Sequence, residues 1–191
     1  MRYQELFEDT LVLRLYHGGG ADFDYFDGSR ARSPNDFFGG GVAYFTDNEE
    51  IAQSYARAAQ KRTGQGVLYT VKLTLENTFD VDATFTGDEL VRLLPKKLED
   101  FARGAGLMRA GTDKFRTLAR LEKGRVELTG EQVFKGLSNG GVNTTKAREL
   151  LKKKGYDSLR YTGGVNMGGE EHNVYLPYYD NQIIILNKKS I

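Results

Sequence analysis

The sequence predicts an α+β domain. Runs of β-branched and aromatic residues recur near both ends of the chain, helical apolar spacing fills a block after residue 46 and much of the middle, and glycines punctuate the joins. The chain has 191 residues, which fits one domain with a single real core, and a composition of 39% apolar and 28% charged residues is that of a globular protein. The plan is about six strands with one helical insertion, over roughly residues 82–145.

Taken in order, residues 11–17, LVLRLYH, alternate as a strand. Leu11, Leu13, Leu15 and His17 lie on one face and Val12, Arg14 and Tyr16 on the other, until Gly18, Gly19 and Gly20 break the run. Residues 21–35, ADFDYFDGSRARSPN, have no period and read as a long loop over a cleft, anchored by Phe23 and Phe26, with Arg30 and Arg32 available to anionic groups. Three glycines, 39–41, then lead into a short strand, residues 42–45. A helix follows, capped by Thr46 with Glu49 or by Asp47 with Glu50, and carrying Ile51, Tyr55 and Ala58/Ala59 at helical spacing. Gly64 and Gly66 end it, and strands are expected at 67–75 and 79–81.

Residues 86–104 turn helical from a capping box at Thr86 and Glu89, with Pro95 kinking or splitting the element. Residues 105–128 have no clear reading. Thr129 and Gln132 cap another helix ending near Gly136, and residues 146–154 form a third, stopped by Gly155. Strands at 156–161, 173–178 and 182–186 close the chain. Between the first two lies the glycine-rich loop GGVNMGGEE, residues 163–171, which delivers Glu170 and Glu171 to the start of a strand.

Several function classes are excluded by composition. With no cysteine there are no disulfides, thiolate nucleophiles or zinc–cysteine sites, and two histidines exclude a multi-histidine metal centre. The charged, interrupted N-terminal residues do not read as a signal peptide or a membrane span, so a cytoplasmic setting, its own or that of a host cell into which it is delivered, without membrane contact is expected. Net charge is +1 but uneven: residues 1–50 hold 4 Arg against 10 Asp/Glu, leaving 23 basic and 16 acidic residues after them. That excess permits an acidic partner, although a solvated helix face is the favoured reading.

The residues that carry chemistry are His17 with Gly18, the pair Tyr44 and Tyr55, and Glu170 or Glu171. Alternation places Tyr44 opposite Phe45, and two tyrosine rings over a glycine floor suit a flat heterocycle. In their order and spacing, Tyr16-His17-Gly18, Gly41-Val42-Ala43-Tyr44-Phe45 with Tyr55 eleven residues on, and Glu171-His172-Asn173-Val174-Tyr175 with Asp180-Asn181-Gln182-Ile183 resemble the ADP-ribosyltransferase superfamily. The similarity is to the branch with a His-Tyr-Glu triad, which includes diphtheria toxin and the poly(ADP-ribose) polymerases. It covers residues 13–60 and 155–187.

That resemblance implies a split β-sandwich with NAD+ as substrate in its cleft, and a mono-ADP-ribosyltransferase acting on a protein or nucleic-acid acceptor. His17 would hydrogen-bond the adenosine ribose, Gly18 the nicotinamide carboxamide, and Tyr44 and Tyr55 would sandwich the nicotinamide ring. Arg30 or Arg32 would meet the pyrophosphate. Glu171, favoured over Glu170, would bind the nicotinamide ribose 2′-OH and stabilise the ribosyl cation. No metal is expected, because nicotinamide leaves as a neutral molecule. Where relatives carry a serine eight residues after the first tyrosine, this chain has Ala52. The loop before Glu171, residues 163–169 with Asn166 and Met167 at its tip, is the segment expected to touch the acceptor, and the insertion over roughly 82–145 is the other candidate.

Overall fold

The computed structural model describes residues 10–27, 38, 43–164 and 169–191. Among them the fold is α+β, built on a seven-stranded sheet in the order β4-β7-β8-β2-β1-β3-β9, with a separate two-stranded ribbon β5-β6. The strands are β1 (Leu11–Gly19), β2 (Phe45–Thr46), β3 (Val67–Leu75), β4 (Thr78–Asp80), β5 (Thr84–Phe85), β6 (Leu128–Thr129), β7 (Ser158–Gly163), β8 (His172–Pro177) and β9 (Ile183–Ser190). The helices are α1 (Glu49–Thr63), α2 (Gly87–Leu93), α3 (Leu98–Gly104), α4 (Lys114–Glu122), α5 (Gly130–Leu137) and α6 (Thr144–Lys153), with a 3-10 turn at Asp180–Gln182. Among the described residues, nine strands therefore stand where about six were expected. The additional ones are short pairings that a local pattern does not reveal.

The β-branched, aromatic run of β3 forms the longest ladders: it pairs antiparallel with β1 from Leu11↔Leu75 to Gly19↔Val67, and with β9 on its other side. β2 is the narrow point of the sheet. It meets β1 only at Tyr16↔Thr46 and β8 at Phe45↔Tyr175 and Thr46↔Val174. Two residues thus join the half-sheet β1-β3-β9 to the half-sheet β4-β7-β8.

Each half has its own core. One gathers Leu15, Phe26, Phe45, Val71, Leu73 and Tyr69, with Tyr175 at its border. The other packs Phe79, Leu159 and Leu176 of the second half-sheet against Leu90, Phe101, Leu121, Phe134 and Leu151 of the helices. The expected insertion therefore shares its core with the sheet. Each fully buried leucine or phenylalanine there contributes about 1.5–3 kcal/mol.

Local signals explain most helix ends. Thr129 and Gln132 form the expected capping box, the Gln132 N–H donating to Thr129 Oγ1 (3.2 Å) and the Thr129 N–H to Gln132 Oε1 (3.0 Å). Pro95 splits the 86–104 helix into α2 and α3, as a residue without an N–H should. Two capping expectations are corrected. Thr86 stands at the N-cap of α2 but makes no side-chain cap bond. The cap of α1 is Asn48, whose Oδ1 accepts from the Ile51 N–H at 3.1 Å, while Thr46 Oγ1 is occupied by the Asn48 N–H.

Candidate functional site

Beyond Tyr16↔Thr46, strands β1 and β2 diverge, and a side chain fills the place of the missing ladder. His17 Nδ1 lies 2.8 Å from the Tyr44 carbonyl oxygen. A carbonyl only accepts, so Nδ1 carries the proton and Nε2 keeps a free lone pair. That nitrogen is next to Gly19, where an added Cβ would stand 3.2 Å from it. A side chain at 19 would crowd Nε2, and glycine does not.

The His17 ring is held by aromatic edges: Phe26 at 5.2 Å and 89°, Phe45 at 5.7 Å and Tyr69 at 6.1 Å. Burial among them lowers its pKa from the ordinary 6.5, against the upward pull of the Tyr44 bond, so the imidazole is neutral at pH 7. The segment after β1 is fastened above this ring. Tyr69 donates its hydroxyl to Ala21 O (2.7 Å) and accepts from the Phe23 N–H (3.0 Å), and Phe23 stacks on Tyr69 at 4.6 Å. Lys188 bridges Asp22 and Asp24 at 2.7 and 2.8 Å, and these bonds raise its pKa.

Gly18 faces the opposite side of the sheet, under α1. A Cβ there would be 1.8 Å from the Ala52 carbonyl oxygen and 2.8 Å from the Ala56 N. The helix approaches β1 this closely because Ala52, Ala56 and Ala59 form its buried stripe. Ala52, 1% exposed, is thus a packing residue at the spot where a serine was expected from the resemblance. Tyr55, one helical turn beyond it, is 62% exposed.

Tyr44 has two roles. Its carbonyl holds His17, while its half-buried side chain turns to the other face and packs on the helical core, near Arg148 and Tyr178. Phe45 points into the aromatic core, 0% exposed, so the expected alternation holds. Arg30 and Arg32, the glycines 39–41 and the tip residues Asn166 and Met167 lie outside the described residues.

Glu171 is exposed immediately before β8. Its backbone is braced on both sides. On one, Gly164, with φ 86°, sits where a Cβ would come 2.3 Å from Glu170 O, and His172 Nδ1 bonds that same oxygen at 2.8 Å. On the other, the Asn173 N–H donates to Asp47 Oδ1 (2.9 Å), Asn173 Nδ2 to Asp47 Oδ2 (2.6 Å), and the Asp47 N–H to Asn173 O (3.3 Å). From there a polar chain crosses the sheet: Arg160 Nη1 donates to Asn173 Oδ1 at 3.2 Å, and Nη2 pairs with Asp80 at 2.8 Å. Burial works against the charge of Arg160, and Asp80 with Tyr175 outweighs it, raising its pKa.

The register sets the separation of the two ends. β1 and β8 both run antiparallel to β2, so they are parallel to each other. Continuing Tyr16↔Thr46↔Val174 by one residue puts His17 level with Tyr175, four residues from Glu171, or roughly 13 Å along the strands. The structure thus brings His17, Gly18 and the Tyr44 backbone together and sets Glu171 apart, with Asn173, Tyr175 and Arg160 between them on the sheet face that His17 shares. The bonds among Asp47, Asn173 and Arg160 leave no mark in the sequence, because the partners are 126 and 13 residues apart.

Among the described residues no group of three or more His, Asp or Glu is placed to hold a metal ion, and no helix is long and apolar enough to cross a membrane. No curated protein and no solved structure matches the chain. Residues 9–190 match a family described as ADP-ribosyltransferase in polyvalent proteins.

Proposed function

The chain belongs to that family of ADP-ribosyltransferases, and from this premise we propose that it is a mono-ADP-ribosyltransferase, moving ADP-ribose from NAD+ to a protein or nucleic acid with release of nicotinamide. The observation that carries the proposal is the setting of His17: Nδ1 bonded to the Tyr44 carbonyl, burial that disfavours the charged ring, and a glycine beside Nε2. Such a ring is an acceptor for a ribose hydroxyl and a poor partner for phosphate.

In the proposed reaction the C1′–N glycosidic bond breaks and its electron pair leaves with the pyridine nitrogen, giving neutral nicotinamide. A nucleophilic atom of the acceptor then bonds C1′ and loses its proton to solvent or a neighbouring base. The Glu171 carboxylate, bonded to the 2′-OH, offsets the positive charge on the ribose, the contribution worth most in such a step. Gly18 lies where β1 has left its pairing with β2, an edge suited to the carboxamide. The exposed ring of Tyr55, on the helix packed over Gly18, supports a stacking role, with the half-buried Tyr44 ring, packed on the helical core, as the proposed second wall. The roughly 13 Å between the levels of His17 and Glu171 suits an extended dinucleotide bound across both.

Labelled NAD+ with a cell lysate tests the reading. The expected result is a labelled macromolecule and an equal release of nicotinamide, and neither product together with no NAD+ binding contradicts it. Release without labelling would instead make the chain an NAD+ glycohydrolase. One observation favours a non-catalytic NAD+-binding module: Ala52 contributes no hydroxyl to the carboxamide. Tight binding by calorimetry without nicotinamide release is the outcome that reading requires.

A further inference from the structure

The two half-sheets meet through β2, and Asp47 is the residue that follows it, directly before the cap of α1. Its three bonds to Asn173 prolong the contact between β2 and β8 past the last strand pair, at the point where Glu171 stands two residues upstream. From Arg160 to Asp47 the bonding polarity runs one way, while Arg160 also donates to Asp80 on its other side. Asp80 accepts from Arg160, Arg160 donates to Asn173 Oδ1, and Asn173 Nδ2 donates to Asp47. An asparagine is suited to this place because it joins a cation on one side to an anion on the other.

We infer that Asp47 and Asn173 are positioning residues: they fix the Glu171 backbone relative to the helix that carries Tyr55, so that carboxylate and nicotinamide clamp are held in one geometry. This rests on the proposed role of Glu171. Neither residue reaches the reacting atoms, and their effect falls on the bond-breaking step, where a misplacement of about 1 Å costs on the order of 10²-fold. The one-way polarity makes the pair testable by exchange. In Asp47→Asn two amide groups face each other, and turning the Asn173 amide over to suit would present its NH2 to Arg160. In Asn173→Asp two carboxylates face each other. In the double variant the new amide at position 47 donates to the new carboxylate at position 173, which still accepts from Arg160.

The experiment is steady-state nicotinamide release from NAD+ by wild type, Asp47→Asn, Asn173→Asp and the double variant, with circular dichroism to verify folding. Each single variant is expected to lose kcat by about tenfold to a hundredfold with KM for NAD+ unchanged, and the double variant to recover most of it. Wild-type kcat in the single variants, or a double variant no better than they are, overturns the inference. Hydrogen exchange of the 170–174 amides needs no turnover. Faster exchange in the single variants and recovery in the double support the staple even if the wild type releases no nicotinamide, a result that would count against Glu171 alone. Unchanged exchange overturns it.

Discussion

The two ends of the candidate site are built in opposite ways. At the His17 end the chain is gripped by a nine-pair ladder between β1 and β3, by the aromatic packing of Phe26, Phe45 and Tyr69, and by α1 pressed on Gly18. At the Glu171 end an exposed carboxylate stands just outside the six-pair ladder between β7 and β8, on a backbone further held by the hydrogen bonds of His172 and Asp47. The first end is a product of apolar packing, which also serves stability. The second adds polar side-chain bonds, which prolong the β2–β8 contact and place Glu171. Binding is therefore expected to be robust and turnover fragile.

Two adjacent glycines put that contrast under the heaviest strain. Gly18→Ala drives a Cβ into the Ala52 carbonyl, a backbone atom that moves only with α1, and is expected to cost about 3 kcal/mol or more in urea unfolding. Gly19→Ala meets only the edge of His17, so its effect should appear as a raised KM for NAD+ with folding little changed. Equal stability losses in the two variants would show that α1 is not pressed on β1 as described.

Tyr69→Phe removes the hydroxyl that both donates to Ala21 and accepts from Phe23. A loss of about 1–2 kcal/mol is expected, with weaker NAD+ binding, because Phe26 is then less firmly set against His17. A loss of stability without any change in binding would detach the 21–27 segment from the site.

The smallest effect is the pH dependence of His17. Its folded-state pKa is lowered by burial, so the unfolded chain takes up the proton first. Stability is then full above about pH 6.5 and falls as pH drops from there toward the folded value. His17→Gln should flatten that slope in unfolding curves taken across the acid limb. A slope of unchanged size would mean that the imidazole is not held neutral.

What the sequence made legible follows the same division. β3, the capping box at Thr129 and Gln132, the split at Pro95, and His17 on the face of Leu15 all depend on neighbours a few residues apart, and each appears in the fold. The ribbon β5-β6 pairs Thr84 with Thr129 through two-residue strands that no period marks. Asn48 takes the cap of α1 although the two residues before it can also cap, because Thr46 is spent on the Asn48 N–H and Asp47 on Asn173. The side chain of Tyr44 goes to the helical core, whose helix α4 had no clear signal in residues 105–128. The polar bracing of Glu171 joins residues up to 126 positions apart, beyond any local pattern.

Glu171 is the residue on which the proposed chemistry depends most directly. Nicotinamide released from NAD+ by the wild type and by Glu171→Gln, with NAD+ affinity followed by calorimetry, is the measurement. Expected is a fall of about 10²-fold or more at nearly unchanged affinity. Full activity in Glu171→Gln, with the loss appearing in Glu170→Gln instead, would contradict it.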